Sequence, residues 1–369
     1  VPECPRYRIR LFLSVDLVGS TAFKLGRGAD RAKVSNPHPI WVDEIRKFYR
    51  GFPATLTAKF RRLAETDKRA DIQEKPPLIW KTIGDEIVFC NKIEDIDHLS
   101  ICINAFISTL DMHSKALETR RIEDAGKLPA GLAVKGTAWI AAFPYPNISV
   151  SISQKIRTLN LETTEEFEAS AETNPQGYDF LGQSIDTGFR ISTFSGIDRI
   201  SISAELAYLL CDLAADGKLN VKLHYAGRES LKGVTTGKTY PITVLDTERN
   251  PLRKSVKEHE KTLMGVAETK NEQLKAFLAA YFLDEAVEVP SLSETSLPEN
   301  YRTFALAWAA TAKEEEEKTK RELEGEAQRA QDRLLDKSHE ANVMDRVRSI
   351  GDTLIKKATS LPSSRRSGR

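Results

Sequence analysis

The sequence predicts an α+β fold: a mixed, largely antiparallel sheet covered by helices, followed by a helical C-terminal region. Three observations carry this expectation. Over the first two-thirds of the chain, apolar runs of strand length alternate with amphipathic stretches of helix length, as a sheet with packed helices requires. Some runs meet at tight turns, which favours hairpins over long crossovers. After about Thr247 the strand signals stop and charged helical segments take over. The expected organisation is one domain over 1–248, a helical region over 249–360 and a disordered tail over 361–369, whose two Arg pairs are too few to suggest nucleic acid.

The first strand is "YRIRLFLSVDLVGS" at 7–20, and the polar, broken "GRGADRAKVSNPHP" at 26–39 reads as a loop. A helix is expected from Ile40 to Leu63, with Ile40, Val42, Ile45, Phe48 and Tyr49 spaced for an apolar face. After the linker "DKRADIQEKPP" comes "WKTIGDEIVF" at 80–89, two apolar runs meeting at Gly84. Gly84 supplies the φ > 0 that a tight hairpin turn needs. "HLSICINAFISTLDMHSKAL" at 98–117 reads as a second amphipathic helix and "GLAVKGTAWIAAFP" at 131–144 as a strand or hairpin. The acidic, Thr-rich segment from Asn160 to Gln176 reads as an excursion before "YDFLGQSIDTGFRIS". A strand at 199–203, a helix at 204–214 and a closing pair of strands within 221–245 follow, with helices covering one face of the sheet. Beyond them, "LKAFLAAYFLDEAV" and the long segment from Tyr301 read as helices, and Glu314 to Glu317 as a solvated helix face.

Composition narrows the function classes. The 369 residues carry 54 Lys and Arg against 53 Asp and Glu, a balance that argues against a general polyanion or nucleic-acid binder. Cys4, Cys90, Cys102 and Cys211 are scattered without a C-x-x-C pair and read as free thiols in a reducing compartment. No apolar run approaches the ~18 residues of a membrane span, and the beginning of the sequence lacks a signal-peptide pattern. The expectation is a cytoplasmic protein without membrane contact.

Two acids close strand-like runs. Asp16 precedes Leu-Val-Gly-Ser-Thr, and Asp85 lies between two apolar strands, where a carboxylate needs a partner to offset its desolvation. Brought together, two carboxylates suit hard divalent cations, and two such ions suit in-line displacement at phosphorus. Leu17, Val18, Gly19, Ser20 and Thr21 offer backbone N–H groups in a small Gly-containing turn that can cradle phosphates. An Asp before such a turn also serves as an ordinary turn former, so spacing alone leaves both roles open.

"FLSVDLVGST", "WKTIGDEIVF" and "YDFLGQSIDTGFR", in this order, resemble the three signature segments of the class III nucleotidyl cyclases. The resemblance spans about residues 7–247 and leaves the helical C-terminal third unexplained. It implies a ferredoxin-like catalytic domain working as a head-to-tail homodimer, with active sites shared across the interface. Asp16 and Asp85 then match the two acids that bind a pair of Mg²⁺ or Mn²⁺ ions, and the backbone from Leu17 to Thr21 holds the triphosphate. Arg190 matches the arginine that meets charge developing at phosphorus, and Lys232 matches a phosphate-binding lysine that otherwise reads as a surface residue. Lys81 and Asp179 fall where adenylate cyclases of the family read adenine. Asp186 stands where the family usually carries Asn to orient the ribose, and an unpaired carboxylate there weakens binding of a polyanion. Asp16 and Asp85 are expected to act from one protomer, Arg190 and Asp186 from the other.

"LIWKTIGDEIVF" and "LGQSIDTGFR" resemble a narrower group, the bacterial pyrimidine cyclases of the Pycsar antiphage systems. That group implies cyclic UMP or cyclic CMP as product, read by a separate effector protein. A bulky side chain from the first long helix constricts its base pocket, and Tyr49 is the candidate here, or else an ordinary half-buried core tyrosine. The separation of Asp16 from Asp85 exceeds the family's usual spacing, and the 160–176 excursion precedes the base-reading segment. Both insertions are expected beside the nucleobase pocket, and the resemblance implies a uridylate cyclase ahead of a cytidylate one. An adenylate cyclase and a nucleotide-binding regulatory domain without catalysis stand as alternatives.

Overall fold

A computed structural model of the chain describes residues 3–25, 38–123, 131–152, 163–233, 238–266, 268–293 and 296–359. Two compact units divide it, 2–308 and, apart from Val1, 309–369. The first is built on a seven-stranded sheet. Its strands are β1 (Arg8–Val18), β2 (Leu78–Ile83), β3 (Glu86–Ile93), β4 (Ala133–Phe143), β7 (Arg199–Ile202), β8 (Leu223–Glu229) and β9 (Tyr240–Asp246). They lie in the order β2-β3-β1-β4-β7-β9-β8. All pairs are antiparallel except β4 with β7, so the expected α+β class with a mixed, mainly antiparallel sheet is what forms. A second, two-stranded sheet pairs β5 (Ile148–Ser151) with β6 (Tyr178–Leu181).

Strand β1 is central because it is almost wholly buried, and strands with two covered faces read as continuous apolar runs. The long helices α2 (Ile40–Thr66) and α3 (Ile96–Glu123) pack on each other, and α3 lies against β3 and β4, the two neighbours of β1. Helix α2 buries Phe48, Phe52, Leu56, Phe60 and Ala64, a stripe at every fourth position that begins later and runs further than the sequence pattern suggested. It continues through Pro53. Phe52 packs on Phe89 of β3 and Phe106 of α3, which closes this layer.

The opposite face is also covered, contrary to the expectation of helices on one side. Phe12 of β1 stacks on Trp139 and meets Trp80 and Phe180 edge-on, geometries that add about 0.5–1.5 kcal/mol per pair beyond area burial. Over this aromatic cluster lie α4 (Glu165–Thr173), the small sheet and α5 (Gln183–Ile191). Helix α5 approaches the sheet closely at Gly188, where a Cβ would stand 2.2 Å from the Trp139 ring.

The Asn160 to Gln176 segment is therefore not a loose excursion. Residues 153–162 lie outside the described set, but from Glu165 the chain forms α4, capped by the Thr164 hydroxyl. A buried ionic network ties α4 to β1. Arg10 and Glu168, both fully buried, pair at 2.6 Å, and the Arg10 guanidinium also donates to Ser149 at 2.8 Å. Arg8 pairs with Glu165 and, at 2.7 Å, with Glu172.

Short α1 (Ser20–Leu25) precedes the loop expected at 26–39, of which residues 26–37 lie outside the described set. Helix α6 (Ala204–Ala215) contacts α3, and α8 (Asn271–Asp284) packs on α6. Between β9 and α8 runs α7 (Pro251–Leu263), a helix with no buried residue that lies inside the helical region expected over 249–360. The last helix, α9 (Glu299–Thr359), passes through Gly325 and Gly351. Its first turns belong to the first unit, where Tyr301 donates to the Pro5 carbonyl and Trp308 to that of Thr163. The expected disordered tail at 361–369 lies outside the described residues. Among the described residues no helix is long and apolar enough to cross a membrane.

Candidate active site

Antiparallel register places the first acid. Asp16 stands opposite Glu86 on one side and Lys135 on the other, and cross-strand partners share a face of the sheet. The second acid sits at the β2–β3 hairpin tip, where Gly84 takes φ +64 as expected and Asp85 follows it. Between them comes the turn at 17–21. Gly19 has φ +80, and a Cβ there would stand 2.6 Å from the Gly131 carbonyl oxygen, so this tight passage requires glycine. Ser20 then opens α1, and its hydroxyl donates to the Asp85 carboxylate. Lys24, one turn on, lies 3.9 Å from Asp85, and Lys135 Nζ lies 3.3 Å from Asp16.

The two acids are close enough to feel each other. Burial raises the Asp16 carboxyl above its ordinary range; Lys135 opposes this and the negative charge of Asp85 adds to it. Glu86 is raised for the same first reason, with the Ser14 hydroxyl bond opposing and the charges of Asp16 and Asp85 reinforcing. Asp16, Asp85 and Glu86 thus lie at the same end of the sheet, beside a glycine turn.

Tyr49 reaches this end from α2. It is half-buried, and its hydroxyl donates to the Gly84 carbonyl at the hairpin tip. Burial, then the charge of Asp85, raises its phenol above the usual value. Lys81 does not pair with Asp85. It bonds Asp179 of β6 at 2.8 Å, with Nζ 3.8 Å from the centroid of the Trp80 ring. The two candidate base-reading residues, 98 positions apart, are therefore neighbours.

Other candidates stay apart from the carboxylates within one chain. Asp186 and Arg190 are exposed on α5, four residues apart, and no ion pair joins either to another described residue. Lys232 is exposed just after β8, the edge strand opposite β2. Lys24, Lys135 and Glu86 were missed at the sequence level. Glu86 adjoins Asp85 in the quoted motif and was legible there, whereas Lys135 meets Asp16 only through strand register.

No protein-family model and no curated protein matches the chain. Among solved structures, the adenylyl cyclase CyaB from P. aeruginosa is similar at 12% identity, with 66% of this chain and 97% of that one covered and a TM-score of 0.44. The guanylate cyclase domain of RhGC from Catenaria anguillulae, in complex with GTP, gives 11%, 66%, 100% and 0.37. Adenylate cyclases from Trypanosoma brucei give 14%, 68%, 93% and 0.36. Values this low carry no argument about chemistry, which rests on the residues.

Proposed function

We propose that the chain is a nucleotide cyclase converting UTP, ahead of CTP, to the 3′,5′-cyclic monophosphate and pyrophosphate. The observation that supports this reading is the meeting of Asp16, Asp85 and the Gly19–Ser20 turn at one end of the sheet. Carboxylate and hydroxyl oxygens are the hard donors that Mg²⁺ or Mn²⁺ prefers. No group of three or more His, Cys, Asp or Glu is arranged as a metal cage among the described residues, so Asp16 and Asp85 would hold the ions together with substrate phosphates. Such ions supply charge neutralisation at phosphate oxygens and acidify the attacking hydroxyl.

In this reading the backbone from Leu17 to Thr21 binds the triphosphate. The ribose O3′ forms its bond to the α-phosphorus as the bond to the pyrophosphate oxygen breaks. Arg190 of a second copy meets the equatorial charge, since a guanidinium fork fits a phosphoryl group in a water-poor site, and Asp186 approaches the ribose. Lys232 contributes at the phosphates. Asp186 and Arg190, exposed and without an ion pair among the described residues, suit such a head-to-tail homodimer. Tyr49, Lys81 and Asp179 surround the base, with the tyrosine ring taking volume that a purine's second ring needs. The product would be a second messenger of antiphage defence, read by a separate effector.

One observation favours a second reading. The Lys81–Asp179 pair places an ammonium and a carboxylate side by side, as reading an adenine edge requires. Turnover of the four nucleoside triphosphates with Mn²⁺, products resolved by chromatography, separates the two. Cyclic UMP or cyclic CMP as main product is expected; dominant cyclic AMP would overturn the pyrimidine assignment. No product from any triphosphate would leave a nucleotide-binding regulatory domain.

A further inference from the structure

Each carboxylate assigned to metal binding already has an ammonium group of this chain beside it. Lys135 Nζ is 3.3 Å from Asp16 and Lys24 Nζ is 3.9 Å from Asp85. The two contacts differ in kind. Lys24 belongs to the last turn of a six-residue helix. Lys135 stands directly opposite Asp16 in the β1–β4 ladder, whose register runs unbroken from Arg8 to Val18. The fold therefore presents this ammonium to this carboxylate wherever β1 and β4 are paired. Glu86 flanks Asp16 on its other side and accepts from the Ser14 hydroxyl.

Stability does not account for the Lys135–Asp16 pair. Its side chains are partly exposed, at 27% and 32%, and a single lysine contact in reach of solvent contributes modestly to folding. Its effect on a cation is larger, because an ammonium beside Asp16 occupies an oxygen that a metal ion needs and repels the ion's charge. Lysine suits a replaceable occupant, being a point charge on a flexible stem that can swing to a phosphate oxygen.

We propose that Lys135 is a built-in competitor for the divalent cation at Asp16, holding that carboxylate in the metal-free chain and setting the site's affinity for free metal ion. This rests on reading Asp16 and Asp85 as metal ligands. Removing the charge while keeping the stem, as in Lys135→Met, is expected to tighten the site.

The test is a Mn²⁺ titration of the full chain without nucleotide, free Mn²⁺ being read from its electron paramagnetic resonance signal. Wild type is expected to bind weakly, Lys135→Arg no more tightly than wild type because its guanidinium can grip the carboxylate by two bonds, Lys135→Met about tenfold more tightly, and Asp16→Asn not at all. Should Lys135→Met fail to fold, Lys135→Gln provides the same neutral arm. Equal affinity of wild type and the neutral variant, with Asp16→Asn still removing binding, overturns the competitor role alone. Mn²⁺ binding indifferent to both Asp16→Asn and Asp85→Asn overturns the metal-ligand reading as well.

Discussion

Tyr49 shows how one side chain can hold two roles that substitution separates. Its hydroxyl secures the Gly84 carbonyl, and so the turn that presents Asp85, while its ring stands at the same end of the sheet. Tyr49→Phe removes only the hydroxyl. It is expected to lower UTP turnover a few-fold, on the order of one lost neutral hydrogen bond, while leaving the ratio of UTP to ATP turnover within about threefold, since the ring proposed to select the base stays. Tyr49→Ala removes the ring as well, and its ratio is expected to fall at least about tenfold, the scale at which pocket volume discriminates. Steady-state kinetics with both nucleotides read the two effects. An unchanged ratio in Tyr49→Ala would leave Tyr49 as a clamp on the hairpin and remove it from base selection.

Among the elements, α4 has the most indirect connection to the site. Its Glu168 and the Arg10 of β1 are both fully buried and cross-linked, and the Arg10 guanidinium also lies 4.5 Å from the Phe143 ring centroid. From α4, Ser170 accepts the Tyr178 hydroxyl at 2.8 Å, and the Tyr178 carbonyl in turn accepts from Trp80. Asp179 follows Tyr178, so the Lys81–Asp179 pair, proposed to read the base, depends on this anchor. Glu168→Ala would leave a guanidinium buried beside fewer acceptors, at a cost of about 3–5 kcal/mol in denaturant unfolding, whereas the double change Arg10→Met with Glu168→Leu should recover most of it. Equal instability of the single and double variants would mean that packing and not charge holds α4. The same element marks the limit of sequence reading. The β2–β3 hairpin, the positions of Asp16 and Asp85 and most helices were legible, because period and turn residues are local signals. The place of α4 was not, because Glu168 is explained by an arginine 158 positions away. Helix α7 was legible as part of the charged helical region but its bounds were not, since it buries nothing that would set an apolar period. Lys135 likewise acquires meaning only from register.

For the whole molecule, the site assembled within one chain is incomplete under the proposed chemistry. One chain gathers Asp16, Asp85, Ser20, Tyr49 and the Lys81–Asp179 pair, and leaves Asp186 and Arg190 exposed on α5 without ion pairs among the described residues. If a second copy supplies the α5 residues, each dimer has two composite sites, and damage to different halves is separable. Asp85→Ala and Arg190→Ala chains are each expected to be inactive alone, with turnover reduced by at least about a hundredfold, the usual effect of removing a group that stabilises transition-state charge. Mixed under conditions that exchange protomers, they form heterodimers in which one site carries both lesions and the other carries neither. Statistical pairing puts half of the chains in such heterodimers, each with one intact site of two, so activity should return to about a quarter of wild type at equal total chain, the arithmetic of random pairing in a twofold oligomer. Co-elution of the untagged variant with an affinity tag carried by the other chain alone confirms that exchange has occurred. Exchange without recovered activity would show that Asp85 and Arg190 serve the same site from the same chain.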